Sequence, residues 1–141
     1  MFKKILVPID ISQSDGGATG LKSAVELADT TGAKLILLHV TADVPNLVAA
    51  QLPSNYLQAA QESAAKELEG IAKKLKLAAG NLEIQTTHGH AYSKILEAAK
   101  KEGVDLIVIA SHQPGAADYL LGSCAAKVVR HAHCSVLVVR T

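Results

Sequence analysis

Four short runs of this chain are apolar almost without interruption, and a fifth alternates. KILVPI (Lys4–Ile9), KLILLHV (Lys34–Val40), DLIVIA (Asp105–Ala110) and SVLVVR (Ser135–Arg140) carry Val, Ile and Leu in succession, the mark of strands buried on both faces. NLEIQTTH (Asn81–His88) alternates apolar and polar positions, which predicts a half-exposed strand of the kind found at a sheet edge. Between these runs the period lengthens. GLKSAVELADTTG sets Leu21, Ala24, Val25, Leu27 and Ala28 at helical spacing and stops at Gly32. A longer helix is expected from Asn55 to Ala79, where Tyr56, Ala60, Ala64, Leu68, Ile71 and Leu75 form one stripe ahead of Gly80. SKILEAAKKEG predicts a helix closed by Gly103, and CAAKVVRH (Cys124–His131) a last short one. Five strands thus alternate with four helices, the pattern of one parallel sheet with helices on both faces. Ligands of such sheets bind beyond the carboxyl ends of the strands, which singles out the loops after Ile9, Val40 and Ala110.

A chain of 141 residues suits a single domain with a real core. Apolar residues make up 49% of it, yet Trp is absent and there are only one Phe and three Tyr, so Val, Ile, Leu and Ala must build that core. Net charge is +1, with acids and bases mixed along the chain, which argues against nucleic acid or an anionic membrane as partner. No apolar run approaches the roughly 20 residues that span a bilayer. The start, MFKKILVPID, enters a strand without signal-peptide anatomy, so a soluble cytoplasmic protein is expected. A helix filling most of the span from Cys124 to Cys134 would hold these cysteines about 12–15 Å apart. A disulfide needs Cα atoms within about 7 Å, so both are expected as free thiols.

Pro8 is out of place in a central strand, because proline cannot donate to the ladder. At the carboxyl end it stops pairing, and Asp10 then sits at the mouth of the sheet. The plain reading is a strand terminator with a capping acid; the functional one has Asp10 and nearby backbone meeting a polar ligand. DGGATG (Asp15–Gly20) lacks the Gly-x-Gly-x-x-Gly order and is better read as a loop and helix start. The stretch SHQPGAADYLLGS spends eleven residues, Ser111 to Leu121, between a buried strand and Gly122, where such loops usually need about two to six. Gly122 permits close approach to the backbone. Ser123 can cap, and the positive helix end favours a phosphate. With no Gly-Lys-Ser/Thr, this is not a Walker loop. Of six histidines, His88/His90 and His131/His133 lie two apart, but no carboxylate or thiol completes a convincing metal set. His112 stands out by lying inside the long loop. Cys124, in the first turn of a helix, is read as structural rather than reactive.

The segments KILVPIDIS, AKLILLHV, DLIVIASH and YLLGSCAAKVVRHAHCSVLVVR together resemble the universal stress protein family over the full length, residues 1–141 as one domain. The long loop looks like that of a bacterial branch with Ser-His-x-Pro after the fourth strand. The resemblance implies a three-layer α/β fold, an open parallel five-stranded sheet of order 3-2-1-4-5, Rossmann-like and of the adenine nucleotide alpha hydrolase type. It also implies an adenine nucleotide (ATP, or ADP or AMP, with magnesium as a candidate companion) and a regulatory or protective role in stress rather than efficient catalysis. Asp10 and the backbone of Val40 would then hold adenine and ribose. Ala110, His112, Gln113, Gly122, Ser123 and Cys124 would line ribose and phosphates, with Pro8, Ile9, Ile109 and Ala125 flanking them. The family pattern is Gly, two residues, Gly, nine residues, then Gly-Ser or Gly-Thr. Here Ala110 and Gln113 replace the first two glycines, and eight residues rather than nine separate Gln113 from Gly122. In the implied order SVLVVR is an edge, so Cys134–Arg140 is expected to pair antiparallel with its mate in a homodimer or a dimer of dimers.

Two other readings stand beside this one. A slow nucleotide hydrolase would need a base or a metal-holding acid near the γ-phosphate, where the loop offers only His112 and Asp118. A nucleotide-free interaction module would suit the altered glycines. A phosphoacceptor receiver is rejected, since it wants an acid after the third strand and this chain has QTTH.

Overall fold

All five strands run parallel in one sheet of order β3-β2-β1-β4-β5. The computed structural model describes residues 1–11, 18–75, 77, 80–111 and 121–140. In chain order the elements are β1 (Lys4–Pro8), α1 (Ala18–Thr31), β2 (Lys34–Thr41), α2 (Asn46–Ala49), α3 (Tyr56–Lys73), β3 (Leu82–His88), α4 (Ala91–Glu102), β4 (Leu106–Ser111), α5 (Ser123–His131) and β5 (Ser135–Arg140). Successive residues of a strand point to opposite faces, so each buried run feeds two cores. Ile5, Val7, Leu35, Leu37, Leu106 and Val108 pack with Leu21, Ala24 and Ala28 of α1 and Leu68 of α3. Leu6, Ile36, Leu38, Ile107 and Ile109 pack on the other side with Ile95 and Ala99 of α4 and Ala125 and Val128 of α5. The result is the three-layer α/β sandwich expected, with the alternating strand β3 at an edge. Among the described residues no helix is long and apolar enough to cross a membrane.

Three expectations are corrected. The loop after β2 contains an additional helix, the single turn α2, which follows Pro45 and buries none of its residues; a turn this short has too few positions to show a period. The long helix ends at Lys73, not Ala79. There the bonds tighten to Lys74 N–H on Ile71 O and Leu75 N–H on Ala72 O, 3.1 and 3.0 Å, the three-residue spacing that commonly closes a helix. That turn lets Leu75 and Leu77 pack onto the α1–α3 core from outside the helix. Finally, β5 is not buried on both faces: none of its residues is fully buried, and Leu137 is 38% exposed. It is an edge strand whose apolar run has lost half of its cover.

The amino ends of the two central strands are tied by side chain. Asp105 accepts the backbone N–H groups of Lys3 and Lys4 at 2.8 and 3.0 Å, and the Lys4 ammonium donates to Glu102 O at 2.9 Å. Gly103 closes α4 at φ 63°, a left-handed conformation that glycine adopts without steric cost.

Candidate functional site

β1 and β4 are neighbours in the sheet but distant in sequence order, and they part early. Their register runs only from Ile5↔Leu106 to Leu6↔Ile107, whereas β1 stays paired with β2 as far as Pro8↔Leu38 and β4 with β5 to Ser111↔Arg140. Pro8 accounts for this. Ile9 donates its N–H to Leu38 O at 2.8 Å, toward β2. Backbone groups of adjacent residues point to opposite neighbours, so the missing N–H of Pro8 is the one that would have faced β4. The ladder therefore ends two residues earlier on that side than toward β2, and the strands part at the point where strand order reverses, the crevice in which ligands of such sheets bind.

The sequence-selected residues divide around this crevice by strand alternation. Val40, Ile109, Cys124 and Ala125 share the α4–α5 face, packed in or against one apolar cluster, and Pro8 follows Leu6 on that side. Asp10 is exposed just beyond β1, close enough for its charge to act on the Cys124 thiol. Gly122 and Ser123 open α5 beside them. Ile9 and Ala110 go the other way. Ile9 is buried in the α1–α3 core, and Ala110 lies under Gly20 of α1, where an added Cβ would come within 3.4 Å of its own. What these two can offer the crevice is backbone. His112 and Gln113 lie outside the described residues, as do Asp118 and all of the DGGATG stretch before Ala18.

The start of α5 differs from expectation in one respect. The N-cap is Gly122, at φ −60° and ψ 151°, with no side-chain cap; Ser123 is the first helical residue and exposed. Gly122 O accepts the Ala126 N–H at 2.9 Å, and the N–H groups of Ser123, Cys124 and Ala125 have no partner within the helix, as in any first turn. Burial pushes the Cys124 thiol up from its ordinary value, with Asp10 adding to the rise and Lys127 opposing it. The thiol is therefore neutral near pH 7 and puts no negative charge beside the helix start. Lys127 itself lies 4.8 Å from the centre of the Tyr92 ring, a cation–π contact from α5 to α4.

Sequence reasoning missed three residues. Ser111 is buried at 7% exposure, and its hydroxyl accepts the Gly122 N–H at 2.8 Å. His39 Nδ1 lies 3.2 Å from Ile9 O, steadying the chain just past Pro8. Gly20 of α1 packs directly over Ala110. Only Ser111 left a signal, as a polar residue extending the apolar run DLIVIA. A cleft of about 500 Å³ lies elsewhere, lined by Leu96, Ala99, Val104, His131 and Cys134 among others. The carboxyl ends of α4 and α5 meet there, with Lys100 and His131 from their last turns in its wall. Both cysteines are free.

Comparison with known proteins gives the chain its relatives. "Universal stress protein YxiE" of Bacillus subtilis is 34% identical over 152 residues, covering 99% of this chain and 100% of the relative. The structure of "Universal stress protein UspA from Lactobacillus plantarum" is 27% identical and superposes with a TM-score of 0.80, covering 98% of this chain and 97% of that one. A universal stress protein from Archaeoglobus fulgidus, described as a complex with dAMP, shares the fold at 19% identity and a TM-score of 0.64, with 96% of each chain covered. The model of the universal stress protein family matches residues 1–140, and this chain belongs to that family.

Proposed function

We propose that this protein binds an adenine nucleotide in the crevice between β1 and β4 and acts through the bound state rather than by rapid turnover. The observation that carries the reading is the early parting of β1 and β4, with Asp10 just beyond β1 near enough for its charge to act on Cys124 in the first turn of α5. Adenine and ribose would lie by Asp10 and the Val40 backbone. The phosphates would meet the N–H groups of Ser123, Cys124 and Ala125, a helix start being a ready anion site. A relative of the same fold holds dAMP, which agrees with a nucleotide of this class. Magnesium would be carried by the phosphates. Rapid hydrolysis is not expected, because phosphoryl transfer relies on metal and cationic clamps and the chain has no Lys or Arg between Lys101 and Lys127. Turnover below about 1 s⁻¹ is the expected result, under the ordinary enzyme range. The test is calorimetry with ATP, ADP and AMP on the wild type and on Ser123→Asp, with mass spectrometry of nucleotide released from fresh protein. Ser123→Asp sets a negative charge where phosphate should sit and is expected to bind far more weakly while staying folded. No binding by the wild type at millimolar nucleotide, or equal binding by the variant, removes the reading.

The same proposal includes a homodimer through β5. The edge strand β3 carries Glu83, paired with Lys34 of β2 at 2.7 Å, and Gln85, which donates to Glu83 and to Glu102 of α4; a charge within an edge strand is a common protection against edge pairing. β5 presents Val136, Leu137, Val138 and Val139, and its first charge is at Arg140.

A further inference from the structure

Ser111 stands where the long loop leaves the sheet, and Gly122 where it enters α5. The serine hydroxyl accepts the glycine N–H at 2.8 Å across eleven positions of sequence. Ser111 is the buried polar side chain among the described residues. An ideal Cβ at residue 122 would lie 3.4 Å from its oxygen, in ordinary van der Waals contact, so the serine hydroxyl packs directly against this position. Gly122 is thus held from both sides, its N–H by Ser111 and its C=O by the Ala126 N–H. Fixing both of its backbone groups fixes the direction of the first turn that follows.

Building on the nucleotide reading above, we infer that Ser111 is a positioning residue for the phosphates: its hydroxyl pins the mouth of the loop so that the N–H groups of Ser123 and Cys124 are aimed into the crevice before ligand arrives. The Gly122 N–H is reserved for this bond and does not serve the ligand. Ser111 is buried and its hydroxyl is engaged by the Gly122 N–H, whereas adenine would lie by Asp10 and the Val40 backbone. Its effect should therefore grow with the phosphate chain and be absent for the nucleoside.

The experiment compares wild type, Ser111→Ala and Ser111→Thr by calorimetry with adenosine, AMP, ADP and ATP. The temperature is one at which circular dichroism shows all three folded. Amide exchange at Gly122 and Ser123 is followed by NMR without ligand. Ser111→Ala should bind ADP and ATP about five- to tenfold more weakly, the worth of one well-placed hydrogen bond. Its adenosine affinity should be unchanged, and its Gly122 amide should exchange faster. Ser111→Thr keeps the hydroxyl and should restore both. If the wild type binds nucleotide but Ser111→Ala binds ADP and ATP equally well, or loses adenosine in the same proportion, the inference is wrong and the binding site stands. If the wild type binds none of the four, the nucleotide reading falls and takes the inference with it.

Discussion

Asp105 shows how one side chain can set a register. Its carboxylate takes two backbone N–H groups from the start of β1. Burial tends to raise its pKa, but those two bonds, with its own backbone N–H and the charge of the amino terminus, together outweigh that and hold the carboxyl below its ordinary value. The unfolded chain then binds the proton more readily than the folded one. The stabilisation is complete above the ordinary carboxylate pKa and is lost as pH falls through the depressed value. Asp105→Asn should cost about 1 kcal/mol at pH 7, given a partly exposed, charge-assisted site. Urea titrations should show that gap closing as pH falls below the ordinary carboxylate range, and a gap that stays constant would refute the assignment. Asp105 drew no notice in the sequence, since an acid before an apolar run has no partner until β1 and β4 are side by side. Ser111 showed locally only as a polar residue extending an apolar run; its partner, the Gly122 N–H, is across the loop and nothing local announces that bond.

At the scale of elements, period decided most. The stripe from Tyr56 to Leu68 predicts both a helix and its inner face, and Ala64 and Leu68 are its buried residues. Leu68 is fully buried in the α1–α3 core. Leu68→Ala should destabilise the protein by about 2–5 kcal/mol, as buried Leu truncations do. A loss under about 1 kcal/mol in urea denaturation would mean that α3 is not the cover of that core. The end of α3 could not be read from the stripe, because Leu75 keeps the apolar spacing while leaving the helix to reach the core. Pro8 gave the opposite case: its chemistry forbids one bond, and the missing bond is what parts β1 from β4.

For the whole molecule the two sheet edges set the expected assembly. β3 carries Glu83 inside its run, whereas the charge of β5, Arg140, comes at its last position, so the apolar stretch of β5 is the edge left to pair. Light scattering at micromolar concentration should give at least twice the chain mass of 14.7 kDa. Leu137→Glu, which sets a charge on that half-exposed edge, should return the protein to monomer. A wild type already monomeric would end the dimer proposal. Local pattern sufficed for the five strands, four of the five helices among the described residues, the parallel α/β class and the edge position of β3. It also placed Asp10, Val40, Gly122 and Cys124 near the carboxyl end of the sheet, because strand order and strand direction follow from alternation and the family resemblance. It took the assembled sheet to send Ile9 and Ala110 to one face and Val40 and Ile109 to the other. The sheet also uncovered β5 and joined Ser111 to Gly122. Spacing along a chain tells a side chain its period, but which layer covers it, and which distant backbone group it meets, depends on neighbours that only folding brings together.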